Sequence, residues 1–314
     1  MERLGDSARS LMRLKHSSLV QLGAGIGNVV LATPLLLALH ELGFAVDVLL
    51  AADYAETSDL LRPWSVVQEI FTGLSQPPLA RYERIAPALP PFYQARFGRA
   101  IANRPNALMR PPDSLFYENE QAFYLHFARA LDYPPDRAPR PCLPIAPSQK
   151  FGVTSGTIVL APGCKTGIMA TKRWPHFAEL AAAFSDVVVV GTLDDLKRND
   201  GSPMNFPAHV RSRVGQLSLR ETAELMAAAG VVVGNDSGLS HVAAAVGTPT
   251  VMLFGPTPDH SLGAMPPNVK VLRSGLPCEP CWFRDRFRAC GKKIECLSTL
   301  RVEDVIREVS VFLS

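Results

Sequence analysis

Apolar runs and amphipathic stretches alternate along the chain, and the alternation predicts strands and helices in turn. Residues 19–22 read as a short strand. The loop Gly23-Ala24-Gly25-Ile26-Gly27-Asn28 follows, then a helix over 29–42 that Gly43 ends. A second strand covers 45–50. Residues 75–112 are rich in proline, and short strands and helices are expected to alternate there. A helix with aromatic and aliphatic residues on one face covers 119–131. Prolines at 134, 135, 139, 141, 144 and 147 then exclude helix and central strand. This stretch is the best linker in the chain and places a domain boundary near Gln149.

The same pattern restarts beyond it. A strand over 157–160 leads into a loop over 161–173, and Pro175 opens a helix over 176–184. Residues 187–190 form the next strand, with Gly191-Thr192-Leu193-Asp194-Asp195 beyond its carboxyl end. Ser218 caps a further helix. Val231-Val232-Val233 reads as a buried parallel strand. Asp236 is expected to cap the helix after it, whose first turn holds Ser237, Gly238 and Leu239. Gly247 ends that helix, Pro249 bars its return, and a strand runs over 250–254. A short helix over 299–313 closes the chain.

Ligands in parallel sheets bind outside the carboxyl ends of the strands. The helix after Val233 offers free N–H groups and a positive dipole end there, which suit an anion such as a diphosphate. Gly238 lets a ligand approach the backbone. His241, one turn in, is placed to donate to a phosphate oxygen. An ordinary strand–helix turn gives the same local pattern, so geometry alone does not choose between them.

Composition narrows the class to a large α/β protein. The 314 residues suffice for two domains with a sizeable core. Hydrophobic residues at 47% and charged residues at 19% fit a globular chain. A net charge of +3 is too small to argue for nucleic acid. The first residues lack the apolar stretch of a signal peptide. The most apolar segment, 29–39, is about half of the ~20 residues needed to span a bilayer. The expectation is a cytoplasmic protein of unspecified oligomeric state.

The residues of the 236–249 segment carry more than their periodicity. Asp236-Ser237-Gly238-Leu239-Ser240-His241, Ala243-Ala244-Ala245 and Gly247-Thr248-Pro249, followed by Phe254-Gly255-Pro256-Thr257, closely resemble the signature of glycosyltransferase family 9, the heptosyltransferases. The resemblance implies a GT-B fold, with two Rossmann-like domains facing each other across a cleft. Residues 1–148 would bind the acceptor and 149–314 the nucleotide-sugar, and the last helix, 299–313, is expected to cross back to the first domain. Gly25-Ile26-Gly27-Asn28-Val29-Val30-Leu31-Ala32-Thr33-Pro34 is similar to the first family motif, which normally carries an aspartate where this chain has Asn28. The resemblance makes that aspartate the base on the acceptor hydroxyl. An amide cannot take up a proton at neutral pH. Another carboxylate or histidine then acts as base, or Asn28 only orients the acceptor, or the enzyme is weak or inactive. Asn28 could also simply cap the helix after it.

The segment from Ala161 to Pro175 also matches, ending in Lys172-Arg173-Trp174-Pro175. The resemblance gives Lys172 the role of neutralising the donor diphosphate and lets Thr166 add donors. Trp174 is read as packing. Asp194 or Asp195 would hold the nucleotide ribose, with Asp195 carried as the candidate, and Gln216 and Leu217 are assigned to the adenine pocket. Together with Asp236, Ser237, Gly238 and His241 these residues form the expected donor site. The implied chemistry is inverting transfer of a sugar from a nucleotide-sugar, ADP-heptose being the typical family donor, with no catalytic metal. The acceptor would be a lipopolysaccharide core, a glycoside, a natural product or a protein side chain. The alternative is a non-catalytic sugar-nucleotide-binding or assembly protein that has lost its base at position 28. A dehydrogenase, with Asp53 on the ribose, is the weakest reading, because Asn28 stands where the third glycine of a dinucleotide fingerprint belongs.

Four of the six cysteines, Cys278, Cys281, Cys290 and Cys296, lie in one polar segment rich in arginine. Thiolates at such spacing can wrap a tetrahedral metal, so a structural zinc or iron ion competes with a set of reduced thiols. Cys142 and Cys164 stand apart and read as buried.

Overall fold

The computed structural model describes residues 16–73, 77–93, 99–165, 172–281, 290 and 294–314. Within them the chain forms two parallel sheets. The first has the order β3-β2-β1-β4, with β1 at His16–Leu22, β2 at Phe44–Leu50, β3 at Val67–Thr72 and β4 at Arg84–Ala86. The second has the order β10-β9-β8-β5-β6-β7. Its strands are β5 (Ile158–Ala161), β6 (Val187–Val189), β7 (Arg211–Ser212), β8 (Val231–Asn235), β9 (Thr250–Leu253) and β10 (Val269–Leu272). Both central strands are buried, β5 and β8 along their whole length. This explains their continuous apolar runs, since helices cover both faces of a parallel sheet.

Helix boundaries follow local chemistry. The run expected as one helix over 29–42 is two, Ile26–Leu31 and Thr33–Glu41. Pro34 has no N–H to donate to the carbonyl of Val30, and the Thr33 hydroxyl donates to that carbonyl instead at 2.7 Å. Gly43 and Gly247, at φ of +88° and +92°, end their helices in the left-handed region. Ser218 caps the Leu219–Ala227 helix in a reciprocal pair with Glu221. Asn119 caps the Glu120–Arg129 helix by accepting from Ala122 N–H at 2.9 Å.

Two expectations are corrected. Asp236 does not cap the Gly238–Ala245 helix; Ser237 occupies the cap position, and the Asp236 carboxylate is engaged with other side chains. The closing helix, Val302–Leu313, does not cross to the first sheet. Its Val305 and Val309 are fully buried in the same core cluster as Val231 and Val251 of the second sheet. Its strongly one-sided apolar face finds its complement there.

The proline-rich stretch is an extended strap with Leu143 and Ile145 buried. Leu143 N–H donates to Ala245 at 2.9 Å, and Cys142 N–H donates to the Thr33 hydroxyl at 3.1 Å. The core under the first sheet continues through it to Ala223, Val242 and Ala245 of the second half. Helix Ile26–Leu31 therefore lies directly on helix Gly238–Ala245. Their approach needs two glycines: a Cβ on Gly238 would stand 2.7 Å from Ile26 Cβ, and one on Gly27 would stand 3.0 Å from the His241 ring.

Candidate active site

The carboxyl ends of the two sheets face each other across a cavity of about 530 Å³. Its walls include Gly25, Asn28, Glu120, Lys172, Asp195, Asp236, Ser237, Gly238 and His241. Lys172, Asp195, Asp236, Ser237, Gly238 and His241 of the expected donor site thus reach one cavity, together with Asn28 from the opposite sheet. Thr166 lies outside the described residues. Of the pair assigned to adenine, neither lines the cavity. Leu217 packs on the core behind β5 and β8, and Gln216 donates to Ser212.

Asp236 organises the wall contributed by the second sheet. Lys172 Nζ lies 2.9 Å from one of its oxygens, and His241 Nε2 lies 3.3 Å from the other. Burial opposes ionisation of Asp236, but the Lys172 charge and the His241 contact outweigh it and hold the carboxyl well below the usual carboxylate range. The result is a permanent anion between two cationic or proton-donating side chains, at the open end of a helix. Asn235, fully buried after the apolar part of β8, fixes the loop that carries Lys172. It accepts from Trp174 N–H at 2.9 Å and donates to Pro162 at 2.6 Å. Trp174 itself is fully buried, and its indole N–H donates to Leu300.

The two acidic residues beyond β6 have different surroundings. Asp195 accepts from both the backbone N–H and the hydroxyl of Thr192, at 2.7 and 2.9 Å. Asp194 pairs with Arg173 and Lys197, each at 3.0 Å, and hydrogen bonds from these two lower its pKa. Gly163 has to be a glycine beside them, because a Cβ there would fall 2.2 Å from the Asp195 carboxyl.

On the first-sheet wall, Asn28 is the third residue of its helix and not a cap. The loop before it is tight, with Ala24 at φ +75°, a conformation costing on the order of 1 kcal/mol for a residue with a Cβ. Asn28 Nδ2 donates to Glu120 Oε1 at 2.6 Å, and Tyr124 OH donates to the same oxygen at 3.0 Å. Glu120 is 5% exposed and lines the cavity. Burial pushes its carboxyl up to about 7, against the lowering effects of the Asn28 and Tyr124 hydrogen bonds and of nearby His241. Sequence reading missed Glu120. Its one local signal, an acidic residue in a helix first turn behind an Asn cap, is shared by ordinary surface helices. Asp53 is not on the cavity wall and instead accepts from Tyr93 OH.

None of Cys278, Cys281, Cys290 and Cys296 lines the cavity. Cys281 and Cys296 are buried, Cys290 is half-buried and Cys278 is exposed. Burial pushes the Cys296 thiol up to about 12, reinforced by Glu279 and by the other three thiols. Among the described residues no group of three or more His, Cys, Asp or Glu side chains is arranged to hold a metal ion. Residues 282–289 and 291–293 of that segment lie outside the described residues. Cys164 is buried on the cavity wall and Cys142 is half-buried, and burial raises both thiols. No helix among the described residues is long and apolar enough to cross a membrane.

Comparison with known proteins extends this picture. The lipopolysaccharide heptosyltransferase 2 of Escherichia coli (strain K12) is 35% identical over 126 residues. The match covers 37% of this chain and 36% of that protein, so the chain spans about a third of the curated relative's length. Among solved structures, the Escherichia coli ADP-heptose lps heptosyltransferase II superposes with a TM-score of 0.70 at 21% identity, covering 94% of this chain and 98% of that one. The dodecameric iron-containing heptosyltransferase TibC, in complex with ADP-D-beta-D-heptose, superposes with a TM-score of 0.64 at 17% identity, covering 100% of this chain and 82% of that one. The two parallel sheets are those of the GT-B fold. The model of glycosyltransferase family 9 (heptosyltransferase) matches residues 128–289, just over half of the chain. On the shared fold and on this match, the chain belongs to glycosyltransferase family 9.

Proposed function

We propose that the chain is an inverting glycosyltransferase that moves a sugar from a nucleotide-sugar, ADP-heptose in the first instance, to a hydroxyl acceptor. The observation that carries this is the single cavity in which Lys172, His241 and the start of the Gly238–Ala245 helix face Asn28 and Glu120 from the opposite sheet. In this reading residues 1–148 bind the acceptor and 149–314 the donor. The diphosphate lies against the Ser237 and Gly238 N–H groups, where the helix dipole favours an anion. Lys172 and His241 turn from Asp236 toward the phosphates and stabilise the charge that develops as ADP leaves. Asp236 orients both and keeps the site neutral before the donor arrives. Asp195 or Asp194 accepts from the ribose hydroxyls, and Thr166 adds a donor to the phosphates.

A lipopolysaccharide core is the acceptor class we propose, since the curated relative that the chain resembles is a lipopolysaccharide heptosyltransferase. Among the described residues the cavity contains no paired acids free of basic partners, and we assign no step to a metal. The non-catalytic alternative loses its main support with Glu120, a carboxylate within hydrogen-bonding distance of Asn28. The test is release of ADP from ADP-heptose by the purified chain, with and without truncated lipopolysaccharide from a heptose-deficient strain. Acceptor-dependent release is expected, and tight ADP binding without release over a broad acceptor panel would refute the reading.

A further inference from the structure

We infer that Glu120 is the residue that takes the proton from the acceptor hydroxyl, in place of a carboxylate at position 28. The inference rests on the transferase reading above. The amide at Asn28 cannot accept a proton at neutral pH. A substitute must reach the same space, be able to ionise, and not be committed to the leaving group.

The candidates around the cavity divide cleanly on those terms. Asp236 is bound to Lys172 and His241, and that pairing makes it a poor base. His241 lies within 3.3 Å of Asp236 on the phosphate side. Asp194 is paired with Arg173 and Lys197, and Asp195 accepts twice from Thr192. Glu56 is exposed at the rim, where solvent competes for it. Among the described residues of the wall, Glu120 is the buried carboxylate held at the Asn28 position. Both of its hydrogen bonds, from Asn28 and Tyr124, converge on Oε1. Among the described residues Oε2 takes none, so the second oxygen is available to an acceptor.

The proton balance is simple. The acceptor oxygen bonds to the anomeric carbon and its proton passes to Oε2. The anomeric carbon–phosphate oxygen bond breaks, its electron pair leaves with ADP, and the proton later returns to water. Asn28 is then a positioning residue: its amide fixes Glu120 by donating to the oxygen that does not react. The charged and titratable groups that face Glu120 are Tyr124 on its own helix and His241 and Asp236 across the cleft. A carboxyl poised near 7 is both ionised and basic enough at neutral pH, which is the condition for efficient proton transfer.

The test compares Glu120→Gln with wild type for ADP release from ADP-heptose with truncated lipopolysaccharide, and for binding of ADP alone. Gln keeps an acceptor for Asn28 and Tyr124 but cannot take a proton. Turnover should fall about 100-fold or more, with ADP affinity within about threefold. The acid limb of the wild-type pH profile should lie near pH 7 and shift in Glu120→Asp. The double variant Asn28→Asp/Glu120→Gln should recover about tenfold or more over Glu120→Gln, because it exchanges the carboxylate and amide across one hydrogen bond. Turnover of Glu120→Gln within threefold of wild type overturns the role of Glu120 and leaves the transferase reading standing. Loss of ADP binding together with turnover overturns it also, in favour of a structural role. Absence of ADP release by the wild-type chain overturns both.

Discussion

Glu120→Gln should make the protein more stable at alkaline pH, and the gain should vanish in acid. In the folded chain the carboxyl is pushed up to about 7 by burial, from an ordinary value near 4.5. A raised carboxyl pKa means that the folded state holds its proton more tightly than the unfolded chain does. Between pH 4.5 and 7 the folded state therefore binds more protons, and stability falls as pH rises. A rise from 4.5 to about 7 corresponds to roughly 3 kcal/mol lost by pH 8, at about 1.4 kcal/mol for each tenfold change in proton affinity. Gln has no charge to bury and keeps the hydrogen bonds from Asn28 and Tyr124. At pH 5 the variant and the wild type should melt within about a degree of each other. At pH 8 the variant should melt higher by several degrees, since roughly 3 kcal/mol moves Tm by that much in a chain of this size. The assay is thermal unfolding of both proteins without ligand from pH 5 to 8.5. Parallel curves, or a gap that narrows with rising pH, would refute the placement of an ionisable Glu120 in a buried wall. A gain in stability paired with a loss of turnover would mark a residue kept for function at a cost to folding.

Lys172→Ala and His241→Ala should each weaken ADP binding at least tenfold, about 1.4 kcal/mol, measured by calorimetry. Unchanged affinity in both well-folded variants would remove the diphosphate from that helix end. Gly238→Ala places a Cβ 2.7 Å from Ile26 Cβ and should cost about 1–3 kcal/mol by forcing the two helices apart. A wild-type melting curve for that variant would mean the contact is loose. In the cysteine segment, exposed Cys278 should react with a thiol reagent first and Cys296 last, because burial holds the Cys296 thiol protonated. Resistance of all four thiols, with about one zinc or iron per chain by elemental analysis, would overturn that order and establish a metal site.

The chain's local chemistry was legible without a structure. Strand and helix periods, the Ser218 cap and the glycine stops at 43 and 247 depend on neighbours a few residues away, and they stand where expected. The residues of the 236–241 run and Lys172 were legible too, because a helix start and the carboxyl end of a strand can be read in sequence. Where local signals conflict, the outcome differs from the simple period: Pro34 divides one expected helix into two. Sequence alone makes Asp236 a cap, a role that short polar residues fill by default. Its real partner, Lys172, stands 64 residues away.

Only the tertiary structure decided what sits opposite the Gly238–Ala245 helix end of the cavity. Glu120 is 92 residues from Asn28, and no periodicity or spacing links them. They meet because the Ile26–Leu31 and Glu120–Arg129 helices pack in one core, while Gly27 and Gly238 let the first of these also touch the Gly238–Ala245 helix. The resting place of the last helix is of the same kind. Its sequence fixes an apolar face, but which core accepts that face depends on where the second sheet leaves a matching surface. Periodicity is a property of consecutive residues, and it survives in the sequence. Burial, pKa and pairing are properties of neighbours in space, and they exist only once the chain has folded.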